Sequence, residues 1–314
     1  MRKQEFTFEG SSAMPYTLHA VLWLPENQNV EAVIQITHGM TEHIGRYEAF
    51  ANAFTQKGIA VAGFDLRGHG TNSGAKDCAS FGENGWNAAL EDVRIFYEIL
   101  REKFPASKHY MLGFSLGSFL LREYFMKYEH ADVSGAIIMG SGHQPALVLN
   151  AIIGIVKGEI KKAGWNQTTP LVRNLSFGTY NKKFAPNRTS SDWLCADTKH
   201  LDDYIADELC RKDISASLFA DLLGAMKRAG AKQACTNWRK DMSVLLISGK
   251  NDPVGDFGKG LLAIEKQLRN SGMKTVQMEL FEGARHDLLH EARVIQQRAQ
   301  LLFHVIHAVP PGVF

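Results

Sequence analysis

The sequence predicts an α/β fold, a mostly parallel sheet with helices on both faces and a helical segment inserted before the last strands. Three observations predict it. Short apolar runs alternate with amphipathic stretches of helical length, as when parallel strands are joined by crossover helices. The alternation stops after Gly140 and resumes at Val244. A Gly-x-Ser-x-Gly stretch, Gly113-Phe114-Ser115-Leu116-Gly117, stands between a strand-like and a helix-like run.

Phe6-Thr7-Phe8 and His19 to Leu24 alternate as an opening antiparallel pair, with Gly10 to Pro15 as the turn region. Ala32 to Thr37 is a buried strand that runs into His38-Gly39. Arg46 to Lys57 is amphipathic and helical, and Gly58 ends it. Ile59 to Phe64 is the next strand. Asn84 to Lys103 is a helix stopped before Pro105. His109 to Gly113 is a strand, Leu116 to Tyr128 a helix and Val133 to Met139 a strand. From Ser141 to about Lys240 helices and loops are expected, with no clear strand. Val244 to Ser248, a helix over 258–270, the strand Thr275 to Phe281 and a closing helix from about Leu288 to His307 complete the pattern. Residues 1–140 and 241–314 are therefore expected to form the core, and 141–240 a helical lid.

Composition narrows the functional classes. The 314 residues suffice for one large domain or a core with an insertion. A formal net charge of +2 makes no demand for nucleic acid. The cysteines, Cys78, Cys195, Cys210 and Cys235, show no C-x-x-C spacing, so neither a zinc ribbon nor a thioredoxin-like site is indicated. Reduced thiols and the absence of an apolar leader point to a cytoplasmic protein. No apolar run is long enough to span a bilayer, and nothing fixes an oligomeric state. No G-x-G-x-x-G opens a helix after a strand, so no dinucleotide cofactor is expected.

A serine on a sharp strand-to-helix turn needs small residues two positions to either side, which Gly113 and Gly117 supply. This is the pattern of a nucleophile elbow. A neutral hydroxyl needs a base, and the base needs an orienting acid. Asp252, in Gly249-Lys250-Asn251-Asp252-Pro253, follows one late strand, and His286, in Gly283-Ala284-Arg285-His286, follows the next. Both loops lie at the carboxyl ends of parallel strands, where ligands bind in open α/β sheets. Asp256 is a rival acid that reads better as an N-cap of the following helix. His286 and His290 are spaced i, i+4, but no H-E-x-x-H accompanies them and no metal is expected. The oxyanion donors are expected to be the backbone N–H of Leu116, just after the serine, and that of Met40.

His38-Gly39-Met40-Thr41-Glu42-His43-Ile44-Gly45-Arg46-Tyr47 resembles the HG-x-x-EH-x-x-RY stretch of the monoacylglycerol lipase and lysophospholipase group. Phe64 to Ser73 resembles that group's D-x-R-G-H-G-x-S loop, with one extra residue before the serine. The elbow, Asp252-Pro253 and the setting of His286 also match. The likeness covers residues 5–140 and 241–308 and is weak between them. It implies an α/β-hydrolase fold, a Ser115–Asp252–His286 triad, a two-amide oxyanion hole, no cofactor and hydrolysis of carboxylic esters. Glu42, His43, Arg46, Arg67 and His69 are expected to hold loops together and not to act chemically.

Residues 141–240 carry 15 Lys and Arg against nine Asp and Glu, while the rest of the chain is net acidic. The run Ala146 to Val156 is strongly apolar, and Lys157, Lys161 and Lys162 follow it. It reads either as a helix packed on the core or as the wall of an acyl tunnel whose entrance touches a membrane or micelle surface. His143, Leu149 and Ile153 are the expected substrate-binding residues. The leading expectation is a serine ester hydrolase of single-chain lipids such as monoacylglycerol or lysophospholipid. The alternatives are a hydrolase of the same fold acting on a peptide or C–C bond, and a non-catalytic binding protein. The last should lack a triad member, and none is lacking. Ser115 in place of an aspartate excludes a haloalkane dehalogenase.

Overall fold

The computed structural model describes residues 1–26, 29–73, 78–128, 132–210 and 213–291. Its strands are β1 (Arg2–Glu9), β2 (Thr17–Leu24), β3 (Ala32–Thr37), β4 (Ile59–Phe64), β5 (Cys78–Ala79), β6 (Lys108–Phe114), β7 (Gly135–Met139), β8 (Asp213–Ile214), β9 (Ser243–Gly249) and β10 (Thr275–Phe281). Its helices are α1 (Glu48–Thr55), α2 (Trp86–Lys103), α3 (Leu116–Lys127), α4 (Ala146–Ala163), α5 (Pro170–Phe177), α6 (Thr198–Ala206), α7 (Ala216–Ala229) and α8 (Lys259–Asn270).

Eight strands form one sheet in the order β1-β2-β4-β3-β6-β7-β9-β10. β1 pairs antiparallel with β2, and β2 antiparallel with β4. From β4 to β10 every neighbour is parallel. Strand alternation divides the core between the two faces. Val33, Val244 and Leu246 join a cluster with Phe96 of α2, Phe119 of α3 and Leu261 of α8. Ile34, Ile36, Leu245 and Ile247 point the other way, to Phe50 and Phe54 of α1. β3 and β4 are buried along their whole length, hence their unbroken apolar sequences.

Between β7 and β9 the chain forms α4 to α7. Local sequence starts three of these helices. Thr169, Asp197 and Ser215 each accept a hydrogen bond from the amide three residues on, and Pro170 fills the first position of α5. α7 packs on both α4 and α3, fixing the insertion to the core.

Three expectations are corrected. The insertion contains a strand, β8, which pairs with β5 through two residues; so short a pairing has no period to read. Asp256 is not a side-chain cap: Gly258 holds that position, and the Asp256 carboxylate lies 3.4 Å from Lys259 Nζ. The closing helix is expected to open at about Leu288, but Leu288–His290 is a 3-10 turn and Glu291 is extended; the rest of that expectation falls in 292–314, outside the described residues. The four cysteines are free thiols. No helix among the described residues is long and apolar enough to cross a membrane.

Candidate active site

Ser115 joins β6 to α3 with φ 49° and ψ −115°, a strained conformation for a residue with a side chain. Its amide donates to the Met139 carbonyl (2.9 Å) and its carbonyl accepts from Ser118 N (2.9 Å). The turn is tight enough to dictate its glycines. A Cβ on Gly113 would lie 2.6 Å from the Gly117 carbonyl oxygen, and one on Gly117 2.0 Å from that of Thr37. Leu116 is the first residue of α3, so its amide has no acceptor within the helix.

Asp252 and His286 are both buried on the loops after β9 and β10. His286 Nδ1 lies 2.9 Å from each Asp252 carboxylate oxygen. Asp252 also accepts from the Ser248 hydroxyl (2.6 Å) and the Val254 amide (2.9 Å), so its orientation is fixed from three directions. The two ends of the site meet on the imidazole. The Phe114 ring, next to the serine, is 4.9 Å from that of His286, and a Cβ on Gly140 would lie 3.0 Å from His286 Cε1.

The loop after β3 is set by histidine tautomerism. Leu66 N–H donates to His38 Nε2 (2.9 Å), so the proton sits on Nδ1, which donates to the Gly39 carbonyl (2.7 Å). Burial pushes the His38 pKa down and favours this neutral form. In a trans peptide the N–H points away from the C=O. Holding the Gly39 oxygen therefore turns the Met40 N–H to the opposite side. Glu42 accepts from the Gly39 amide (2.5 Å) and the Tyr47 hydroxyl (2.7 Å) and pairs with Arg46, which reaches Asp287 at 2.8 Å. His290 Nε2 donates to the Arg46 carbonyl (3.1 Å) and its Nδ1 lies 2.8 Å from Asp287 Oδ1, which places it in this network. Arg67 pairs with buried Asp92, and His69 Nδ1 meets the Arg67 carbonyl at 2.8 Å. Of the five polar residues expected to be structural, Glu42, Arg46, Arg67 and His69 thus sit in loop-holding contacts.

The insertion reaches the histidine through a residue the sequence did not single out. The Trp193 ring is 5.2 Å from that of His286, and Tyr180 (4.8 Å) and Phe177 (6.0 Å) flank it. Nothing local marks Trp193, which stands 93 residues from its partner. Asp287 N donates to the Leu194 carbonyl (2.7 Å), Arg285 reaches the Asp192 and Cys195 carbonyls, and Ala196 N donates to Glu291 (2.8 Å). Of the expected substrate-binding residues, Leu149 is 1% exposed and belongs to the main core cluster, and Ile153 packs half-buried against that cluster. His143 stands where the chain leaves β7, its ring against Gly230 at the end of α7. There the buried Arg122 guanidinium holds the Gly142 (3.1 Å) and Ala229 (2.9 Å) carbonyls together.

The family described as serine aminopeptidase S33 matches residues 28–293. The chain belongs to it. Family membership and the strand order agree on a serine hydrolase of the α/β-hydrolase fold, resembling monoglyceride lipases. Human monoglyceride lipase is 25% identical over 91% of this chain and 84% of its own length. An uncharacterized abhydrolase domain-containing protein of Dictyostelium discoideum is 30% identical over 43% of this chain, but the match spans only 14% of that larger protein. A thermostable carboxyl esterase from Bacillus coagulans, solved in complex with glycerol, superposes with a TM-score of 0.89 at 21% identity, covering 98% of this chain and 99% of the other.

Proposed function

We propose that this family member is a cytoplasmic carboxylic ester hydrolase that works through an acyl-enzyme on Ser115. The observation that carries the reading is the buried Asp252–His286 pair beside a strained elbow serine, with the Trp193 ring of the insertion against the imidazole. With Nδ1 turned to Asp252, His286 Nε2 is the atom that takes the Ser115 proton. The serine oxygen then attacks the ester carbonyl, and the Met40 and Leu116 amides receive the oxyanion. The same nitrogen returns the proton to the leaving alcohol. Water, activated likewise, releases the acid and restores Ser115. Residues 1–140 and 241–314 form the hydrolase core in this reading, and 141–240 its lid.

The substrate is a single-chain lipid ester such as a monoacylglycerol or lysophospholipid. Supporting this, one relative is a monoglyceride lipase and the Bacillus esterase holds glycerol. In this reading Leu149 and Ile153 present the inner face of α4 to the acyl chain, His143 stands at the base of the lid, and Trp193 covers the reacting ester. α4 also leaves Leu147 (82%), Val148 and Ile155 (both 46%) exposed beside Leu171 (40%) of α5. Lys157, Lys161 and Lys162 lie toward its far end. That face suits transient contact with an anionic lipid surface.

The family description favours a second reading, hydrolysis of a peptide amino end. That substrate carries an ammonium group, which a carboxylate should meet. The contact that Trp193 makes at His286 is aromatic, and Tyr180 and Phe177 back it, which suits an acyl or glyceryl group better. The test is a rate profile across p-nitrophenyl esters of increasing acyl length, beside monoacylglycerol, lysophosphatidylcholine and an aminoacyl anilide, with fluorophosphonate labelling mapped by mass spectrometry. Labelling at Ser115 and a preference for lipid esters is the expected result. Labelling elsewhere overturns the mechanism, and preferential anilide cleavage overturns the substrate.

A further inference from the structure

A cluster outside the proposed machinery lies on the seam between the loop after β3 and the insertion. His43 stands just before the 3-10 turn Ile44–Tyr47, and Asp207 and Cys210 follow α6. His43 Nε2 is 2.8 Å from Asp207 Oδ2, and these two atoms and Cys210 Sγ all lie within 4.8 Å of one another. His43 and Asp207 are half-buried and Cys210 is buried.

Imidazole nitrogen, carboxylate oxygen and thiolate sulfur together form the donor set of zinc and similar borderline ions. At zinc bond lengths of about 2.0 Å to N or O and about 2.3 Å to S, tetrahedral ligand atoms stand roughly 3.3–3.6 Å apart. The His43–Asp207 pair would open by about half an ångström and Cys210 would close by up to about an ångström, within reach of side-chain rotation. Leu209 N–H donates to Asp207 Oδ1 (2.8 Å) and fixes the carboxylate, while Oδ2, now against His43 Nε2, is the oxygen an ion would take over from that contact. Arg46 lies near the thiol, but its guanidinium is held between Glu42 and Asp287 and over the Tyr204 ring, so its charge is already balanced.

We propose that His43, Asp207 and Cys210 form a binding site for a borderline-soft divalent metal ion of the zinc type, with water as a fourth ligand. On binding, the Cys210 S–H bond breaks, the sulfur–metal bond forms and the proton leaves to solvent. The ion would replace one hydrogen bond between core and insertion with coordinate bonds, 164 residues apart in sequence. The site needs nothing from Ser115 and stands whether or not the chain cleaves esters.

The test uses the full-length, reduced, chelator-treated protein. Cadmium titration, followed by the ultraviolet thiolate-to-cadmium charge-transfer band, should saturate at one equivalent, and zinc should compete. Cys210→Ser should abolish the band while Cys195→Ser and Cys235→Ser keep it. Asp207→Asn and His43→Gln should each weaken zinc binding at least tenfold in calorimetry. As a check on the unmutated chain, zinc should protect Cys210 from iodoacetamide. A wild-type protein with no saturable band, a band that survives Cys210→Ser, or alkylation of Cys210 unaffected by zinc would each overturn the site.

Discussion

Two pairs of glycines separate the elbow from the first helix of the insertion. A Cβ on Gly113 or Gly117 would collide with backbone oxygen, whereas Gly154 and Gly158 of α4 have nothing within 4 Å. Carboxylates show the same contrast. Burial pushes Asp65 toward protonation, but hydrogen bonds from His19, Ile44 N and Thr71 outweigh it and hold the group well below the usual carboxylate range. In α7 burial raises Asp221 to about 6, and its buried Oδ2 finds no hydrogen-bond partner. At the elbow, close backbone contacts leave no room for a side chain, whereas α4 and α7 keep open space and a carboxylate oxygen with no partner among the described residues.

The largest test of this contrast is chemical. Asp252→Asn should lower kcat by about four powers of ten with the fold intact, because the imidazole loses its orienting acceptor. Asp256→Asn, at a partly exposed carboxylate paired only with Lys259, should leave the rate within a few-fold. Comparable losses in both would dissolve the distinction between the two acids. Next in size is a steric pair. Gly117→Ala must displace the end of β3, and an ångström there should cost about a hundredfold in kcat/KM or more. Gly154→Ala enters open space in a helix, so activity should hold while thermal unfolding shifts upward by the equivalent of about 0.8–1 kcal/mol. A harmless Gly117→Ala would show that the elbow is looser than its contacts indicate.

Ile153→Glu sharpens the comparison within the insertion. Each buried CH₂ is worth about 0.8 kcal/mol, so losing a few apolar contacts should cut the long-chain to short-chain ratio of kcat/KM by about one to two powers of ten. An unchanged ratio in a mutant with native circular dichroism would make α4 a packing surface only. The smallest effect concerns pH. The Asp221 pKa in the fold lies above its ordinary value of 3.8. Its contribution to stability is full below that value and lost as pH rises through about 6. Asp221→Asn should therefore raise the melting temperature at pH 7 and flatten its fall between pH 4 and 6. Wild-type and mutant curves that stay parallel would place the carboxylate in water.

How much the sequence revealed follows the same division. β10 spans the expected residues, Thr275 to Phe281, and the elbow strand and helix differ by about a residue at their ends, because strand period and glycine spacing are local signals. Asp252 and His286 were legible as loop residues after strands, and the structure brings their side chains within hydrogen-bonding distance. Trp193 was not legible, since only the packing of the insertion carries it to His286. Nor was Ser248, an ordinary strand serine until Asp252 folds back on it at 2.6 Å. The β5–β8 pairing and the His43–Asp207–Cys210 cluster failed for the same reason: each joins segments that share no sequence pattern. Asp256 misled because an acid before a helix usually caps it, whereas the chain turns through positive φ at Asp256, Phe257 and Gly258 before α8 begins.

The hydrogen bonds between residues 192–196 and 285–291 bear on how anything enters or leaves. If the insertion swung away as one body, it would strip Arg285 of two carbonyl acceptors and Asp287 of one, and lift Trp193 off the imidazole. The imidazole would keep its Asp252 partner but lose its aromatic cover. Under the proposed function, a route past the exposed Leu147, Val148, Ile155 and Leu171 of α4 and α5 would leave those hydrogen bonds whole. A molecule could then come and go while the rim at residues 192–196 stays fastened over the histidine.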